Sequence, residues 1–287
     1  MLTELSVHLS IIHPRLLSTL ILMEPVIQKT PAAGPNAAFL ATYRPDLWPS
    51  RAVAEAAFRK NKFFQSWDPR VLTKYLKYAL REVPTALYPT PEAGGLLVPV
   101  GAVTLATTKH QEAWSYVRPN FEPQAETGHP TSTDRLLSPD LDPKAEGRYL
   151  FHRAESVITL ANLPFLRPSV LYIFGNQSPM STMALQAEKM ELTGAGLGGS
   201  GGARVGKVKK AVFTDHGHLV PCEQVTKCAE LAAEWLGGQL KQIEADDDFY
   251  KRYQSRKSER DMMVVSKEWK KLVREPATAT RPIKERL

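Results

Sequence analysis

A histidine follows an apolar segment in a context that suits a general base. The stretch FTDHGHLVPCE, residues 213–223, places His218 after a glycine and before apolar residues and a glutamate. A histidine base requires a nucleophile to deprotonate and an acid to orient its ring. The sequence therefore predicts that His218 is a catalytic base, and its two partners must be found elsewhere in the chain.

A glutamate closes another apolar segment, LLSTLILME, at residues 16–24. An ionised carboxylate at the end of a buried strand needs a hydrogen-bond donor, and a histidine is a natural one. Ser178 and Ser181 follow the next apolar segment. Because the carboxyl ends of parallel strands meet at one edge of a sheet, Glu24, His218 and both serines are predicted to lie at the same rim.

The elements that must position these residues alternate between helix and strand. Leucines at spacings of three and four predict a helix over residues 2–12. Three apolar segments of strand length follow, at residues 16–24, 167–176 and 207–215. An amphipathic helix is predicted from Glu223 to Gly237-Gly238. This alternation predicts an α/β domain with a parallel sheet.

A long insertion separates the first two strands. Residues 36–116 predict short helices, capped by Ser50, by Asp68 with Pro69, and by the pair Thr108 and Gln111. Their aromatic side chains indicate either an apolar substrate pocket or the insertion's own core. Residues 117–147 lack periodicity and predict a loop, and the glycine-rich residues 193–206 predict a flexible insertion.

Composition restricts the class of protein. The 287 residues, 43% of them hydrophobic, suffice for one large domain or two modest ones. No apolar run is long enough to span a membrane, and two cysteines provide neither a disulfide framework nor a metal site. Residues 1–12 show no basic region and no cleavage-site pattern, so we expect no secretory signal. We expect no cofactor and no metal.

The basic charge is concentrated at the C-terminus. Residues 251–287 contain twelve Lys or Arg and five Asp or Glu, which equals the net charge of +7 of the whole chain. A basic tail can contact nucleic acid or an anionic membrane. Acids and bases are interspersed there, however, which favours a solvated helix that lies on the domain.

Several segments resemble the C-terminal part of a capped α/β-hydrolase. Residues 13–26, 169–178 and 212–225 are similar to its sixth, seventh and eighth strands, the last with the histidine loop. More narrowly, fungal α/β-hydrolases similar to the peroxisomal lipase and the toxin-cluster hydrolases are resembled by residues 104–121, 194–213 and 217–236. The resemblance implies the C-terminal part of an α/β-hydrolase fold, with parallel strands flanked by helices and a helical cap insertion.

In this family the catalytic residues follow in the order nucleophile, acid, histidine. The resemblance assigns the histidine to His218 rather than His216, and it assigns the acid to Glu24, because no carboxylate follows the seventh strand. The nucleophile elbow, G-x-S-x-G, would precede the first helix and is expected upstream of Met1. The literal match around Ser200 is rejected, because it follows no apolar strand and comes after the acid.

The resemblance implies hydrolysis of a carboxylic ester or lipid by a Ser-His-Glu mechanism, acting on a small apolar substrate. Two alternatives remain open. One is an inactive, truncated scaffold that serves as a binding module. The other is an epoxide hydrolase or dehalogenase, which would follow if the missing nucleophile were Asp.

The resemblance also divides the chain. It predicts a hydrolase core at residues 1–34 and 151–240, a cap and loop at 35–150, and a basic tail at 241–287. The oligomeric state is left open. Cytoplasm is the expected location and the peroxisome the alternative, because Arg286 and Leu287 fit a peroxisomal signal whereas Glu285 does not.

Overall fold

The computed structural model describes residues 2–29, 36–119, 151–152 and 154–274. The chain divides into two compact units, Met1–Trp235 and Leu236–Leu287. The elements of the first part are α1 (Leu2–Ile12), β1 (Thr19–Met23), α2 (Ala37–Tyr43), β2 (Leu47–Trp48), α3 (Arg51–Lys60), α4 (Lys62–Gln65), α5 (Pro69–Tyr78), β3 (Leu80–Glu82), β4 (Val103–Leu105), α6 (Lys109–Tyr116), β5 (Arg118–Pro119) and β6 (Phe151–His152). They are followed by α7 (Ala154–Asn162), β7 (Ser169–Gly175), α8 (Met183–Leu192), β8 (Val208–Phe213), α9 (Val220–Glu223), α10 (Val225–Ser255), α11 (Glu259–Met263) and α12 (Lys267–Arg274).

A parallel sheet of order β1-β7-β8 forms the framework of the first unit. Every residue of the central strand β7 is buried, as its continuous apolar sequence requires. One face of the sheet shares a core with Val7 of α1, and the other packs against Cys228 and Trp235 of α10. The prediction of a parallel sheet flanked by helices is confirmed.

The insertion has an apolar core of its own. A three-stranded antiparallel sheet of order β2-β4-β3 shares this core with α3, α4 and α5. The predicted caps at Ser50, Asp68 with Pro69, and Thr108 with Gln111 are all present. The three strands were not predicted, because two or three residues are too short to show the alternation of a strand.

The aromatic side chains of the insertion divide into two groups. Trp48, Phe64 and Trp67 pack in the core of the insertion, whereas Phe39, Phe63 and Trp114 are exposed. Most of the predicted loop at 117–147 lies outside the described residues. In the described part of the chain, no helix is both long and apolar enough to cross a membrane.

The prediction of a flexible glycine-rich insertion was wrong. The segment returns to the turn before β7, where the N–H groups of Gly194, Gly196 and Ser200 donate to carbonyl oxygens of residues 163–166 at 2.8–2.9 Å. Gly194 and Gly201 have positive φ angles that glycine adopts without strain. Glycines therefore build a specific, hydrogen-bonded loop here rather than a flexible one.

The predicted end of the last helix at Gly237-Gly238 was also wrong, because α10 continues to Ser255. Neither glycine adopts the left-handed conformation that would end a helix. A glycine within a helix costs about 1 kcal/mol relative to alanine, which the helix-forming residues on either side tolerate.

Candidate active site

The carboxyl edge of the parallel sheet brings the two predicted site residues together. Glu24 comes directly after β1, and His218 lies in the loop that follows β8. The Nδ1 atom of His218 lies 3.2 Å from Oε2 of Glu24. The carboxylate side chain is 2% exposed and the imidazole 38%, so the acid is enclosed and the base reaches solvent.

The second oxygen of Glu24 is held by two donors. The N–H of Gly175 donates to Oε1 at 2.6 Å, and the hydroxyl of Ser181 donates to the same oxygen at 2.7 Å. Short contacts of this kind are typical of charge-assisted hydrogen bonds to an ionised carboxylate. Glu24 is thereby fixed with its other oxygen directed at the histidine.

The hydrogen bonds decide the charge of Glu24. Burial opposes ionisation, but donors from His218, Gly175, Ser178 and Ser181 together lower the pKa of the carboxyl below its ordinary value. The ionised form of Glu24, which can accept a hydrogen bond from an imidazole N–H, is therefore favoured.

The backbone at Glu24 is in an unusual conformation. Of the residues that the structure describes, Glu24 is the one non-glycine with a positive φ, at 47°. Its N–H still donates to the carbonyl of Ile173 at 2.9 Å, so the chain leaves the sheet at this residue. Left-handed conformations of non-glycine residues cost about 1–2 kcal/mol and cluster at functional sites.

Ser181 links the acid to the helix that follows. Its hydroxyl also lies 2.9 Å from the carbonyl oxygen of Gly175, and its own carbonyl accepts a hydrogen bond from Nε2 of Gln186 at 2.7 Å. Both side chains are buried. Sequence reasoning placed Ser178 and Ser181 at this rim but missed Gly175 and Gln186. A backbone donor and a helix residue carry no local signal of such a role.

The end of β7 also positions the histidine loop. A Cβ atom on Gly175 would collide with the carbonyl oxygens of His216 and Gly217. The N–H of Gln177 donates to the carbonyl of His216 at 3.0 Å. Glycine at position 175 therefore allows the loop to approach the strand closely enough for His218 to reach Glu24.

The two histidines of the loop have different partners. Nε2 of His216 lies 2.7 Å from the side-chain nitrogen of Gln224, and its ring packs edge-on against Phe213. His218 is the one that contacts Glu24. The insertion contacts the segment after His218, because the N–H of Asp68 donates to the carbonyl of Cys222 at 2.9 Å.

The structure separates Ser200 from this site. The N–H of Ser200 donates to the carbonyl of Leu166, before the amino end of β7, whereas Gly175 marks the carboxyl end. Seven strand residues at about 3.3 Å each separate the two ends by roughly 20 Å. A reaction between Ser200 and His218 would therefore require a large rearrangement of the fold.

A lysine is buried behind the acid. Lys189 of α8 is fully enclosed, and its Nζ lies 3.5 Å from the carbonyl oxygen of Leu185. Burial lowers the pKa of Lys189 to about 8, against the opposing attraction of Glu188 and Glu24. Burial thus outweighs the attraction of both carboxylates at Lys189.

Comparison with known proteins finds relatives named as abhydrolase domain-containing proteins and as thioesterases. No family model matches the sequence. The abhydrolase domain-containing protein AKT2 of Alternaria alternata is 27% identical over 236 residues, which cover 79% of this chain and 77% of that protein. This similarity agrees with the parallel sheet flanked by helices and with the resemblance of the sequence segments to the α/β-hydrolase fold.

Other relatives carry a named activity. The type I acyl-CoA thioesterase mpaH of Penicillium roqueforti is 32% identical over 280 residues, covering 93% of this chain and 63% of that protein. A thioesterase of Penicillium brevicompactum, mpaH', is also 32% identical, over 279 residues. The chain thus spans somewhat less than two thirds of the length of these relatives. The peroxisomal α/β-hydrolase Lpx1 of Saccharomyces cerevisiae superposes with a TM-score of 0.49 at 13% identity, covering 89% of this chain and 61% of that one.

Proposed function

We propose that Glu24 and His218 are the acid and base of a serine-type hydrolase that cleaves esters or thioesters. The observation that carries the proposal is the contact between Nδ1 of His218 and the buried carboxylate of Glu24 at the carboxyl edge of the sheet. A carboxylate that accepts the Nδ1 proton leaves the Nε2 lone pair free to act as a base.

In the first step of the proposed reaction, His218 takes a proton from the nucleophile and then gives it to the leaving group. A serine Oγ attacks the acyl carbon while His218 Nε2 takes the hydroxyl proton, and the imidazolium then donates it to the departing thiolate or alkoxide. In the second step, a water molecule attacks the acyl-enzyme while His218 takes its proton, and the imidazolium returns that proton to the serine oxygen as the carboxylic acid product is released. Glu24 stays ionised throughout and stabilises the imidazolium, a role that its lowered pKa supports.

The nucleophile belongs, in this proposal, to a segment outside the described residues. Ser200, the residue within the literal G-x-S-x-G match, lies at the wrong end of β7. We propose that the insertion between β1 and β7, residues 35–150, acts as a cap over the site. Its contact with the segment after His218 supports this arrangement.

The substrate proposed is an acyl thioester with an apolar acyl chain. The names of the Penicillium relatives support a thioester, since those proteins are acyl-CoA thioesterases. The exposed aromatic side chains of the cap, Phe39, Phe63 and Trp114, could contact an apolar acyl group.

The test is hydrolysis of acyl-CoA and p-nitrophenyl esters by the full-length product of the gene. We expect His218→Ala to lower kcat by roughly 10²–10⁴-fold, with Glu24→Gln lowering it comparably. His216→Ala is the matched control, because it removes the neighbouring imidazole without touching Glu24. Equal losses of kcat in His216→Ala and His218→Ala would refute the assignment of His218 as the base. Turnover of epoxides in place of esters would indicate that the nucleophile is an aspartate and not a serine.

A further inference from the structure

The last described helix separates apolar from basic side chains completely. In α12, Trp269, Leu272 and Val273 are spaced three and four residues apart and share an arc of about 100°. By helical position, the four basic residues fall on the opposite arc, also about 100° wide: Lys267, Lys270, Lys271 and Arg274. The helix begins at a clear cap, because the N–H of Trp269 donates to Oγ of Ser266 at 3.0 Å.

The apolar face of α12 is exposed. Trp269 is 59% exposed, Leu272 is 70% exposed and Val273 is 54% exposed. The segment before the helix continues the apolar surface, since Met262, Met263, Val264 and Val265 are at least half exposed as well. Exposed apolar stripes of this kind usually mark an interaction site.

The charge around the stripe selects the partner. Residues 251–274 contain nine Lys or Arg and three Asp or Glu. A basic amphipathic helix with tryptophan and leucine on its apolar face is the pattern of a helix that lies in the interface of an anionic bilayer. Each basic residue near such a surface adds roughly fivefold to the affinity.

We propose that α12 and residues 262–265 dock on an anionic lipid surface, with Trp269, Leu272 and Val273 inserted among the headgroups. Three side chains on one short helix fall well below the ~800 Å² per partner of a stable protein interface. Interfacial partitioning needs only a few apolar side chains supported by charge. Nucleic acid would be bound by the basic arc alone and would make no use of the apolar one.

The experiment is co-sedimentation of the full 287-residue chain with vesicles of phosphatidylcholine, with or without 30 mol% phosphatidylglycerol. We expect binding to the anionic vesicles that falls at least tenfold when the salt concentration is raised from 0.1 to 1 M, which shortens the screening length from about 10 to about 3 Å. Leu272→Ala should weaken it roughly tenfold and Lys270→Glu with Lys271→Glu still more.

The matched control is Leu240→Ala, which removes a leucine of similar exposure (61%, against 70% for Leu272) from α10 and should leave vesicle binding unchanged. Equal loss in Leu240→Ala and Leu272→Ala would overturn the proposal. So would equal binding to neutral vesicles, no binding at all, or retention on duplex DNA that Leu272→Ala does not change. Concentration-dependent self-association that Leu272→Ala abolishes would instead assign the stripe to a second copy of the chain, and that result also overturns the proposal.

Discussion

The conformation of Glu24 can be tested by comparing two substitutions at the same position. Glu24→Ala and Glu24→Gly both remove the carboxylate and its hydrogen bonds. They differ in the backbone, because alanine must adopt the φ of 47° that glycine accepts freely. The difference in unfolding free energy between the two variants therefore isolates the backbone strain.

The shared loss follows from the hydrogen bonds. Without the carboxylate, the buried N–H of Gly175 has no acceptor, whereas the hydroxyl of Ser181 retains the carbonyl of Gly175 at 2.9 Å. The imidazole of His218 is partly exposed and can bind water. One orphaned donor and the lost charge-assisted bonds together cost about 2–4 kcal/mol in either variant.

The sign of the difference is the decisive quantity. At an ordinary position glycine is about 0.5–1 kcal/mol less stable than alanine, because it loses more backbone entropy on folding. A left-handed backbone costs alanine about 1–2 kcal/mol. We therefore expect Glu24→Gly to be more stable than Glu24→Ala by about 0.5–1 kcal/mol, which reverses the usual order.

The assay is urea unfolding of the 287-residue chain, with hydrogen–deuterium exchange of the peptide that contains Gly175 as a local probe. Lys209→Ala and Lys209→Gly supply the control pair, since Lys209 is exposed in β8 and is not among the residues with positive φ. The control pair should follow the usual order. If Glu24→Gly is less stable than Glu24→Ala by the same amount as the control, the left-handed assignment at Glu24 is wrong.

Two further predictions concern charge. Folding lowers the pKa of Glu24, so the ionised carboxylate stabilises the fold above its ordinary pKa of 4.5. This stabilisation is lost as the pH falls through the folded-state pKa. The urea midpoint of the unmodified chain should therefore fall between pH 6 and 3, and Glu24→Gln should make that fall smaller. The pKa of Lys189 falls from 10.5 to about 8 on folding, so Lys189→Met should raise the unfolding free energy at pH 7 by about 3 kcal/mol. Urea titrations should show the full gain below pH 8 and no gain above pH 10.5. A gain that does not depend on pH would refute this prediction.

Predictions from the sequence were most accurate where the type of a residue and its position along the element indicate the same structure. β7 is apolar at nearly every position, and burial on both faces of a parallel sheet requires that pattern. The proximity of Glu24 and His218 could be predicted because each follows an apolar strand at its carboxyl end. The caps of α3, α5 and α6 could be predicted because their hydrogen bonds join residues two or three positions apart.

The predictions failed where the partner lies far along the chain. The glycine-rich loop is ordered by carbonyl groups some thirty residues earlier, and no local pattern reveals them. Gly237 and Gly238 are compatible with both a helix end and a helix interior, so tertiary context decides between them. The strands β2, β3 and β4 exist only through their pairing with one another.

The register of the parallel sheet explains why the acid is held so firmly. Met23 pairs with Ile173, and the N–H of Glu24 donates to the carbonyl of Ile173. If β1 continued, the N–H of Gly175 would next donate to the carbonyl oxygen of Glu24, as in any parallel ladder.

The left-handed turn at Glu24 removes that carbonyl from the ladder, and the carboxylate oxygen takes its place at 2.6 Å from the N–H of Gly175. The side chain of Glu24 thus completes the main-chain hydrogen bonding of the sheet. The position of its second oxygen, and with it the orientation of His218, is then fixed by strand register rather than by side-chain packing. A one-residue slip of β1 against β7 would separate the acid from the base, which ties the integrity of the site to the pairing of these two strands.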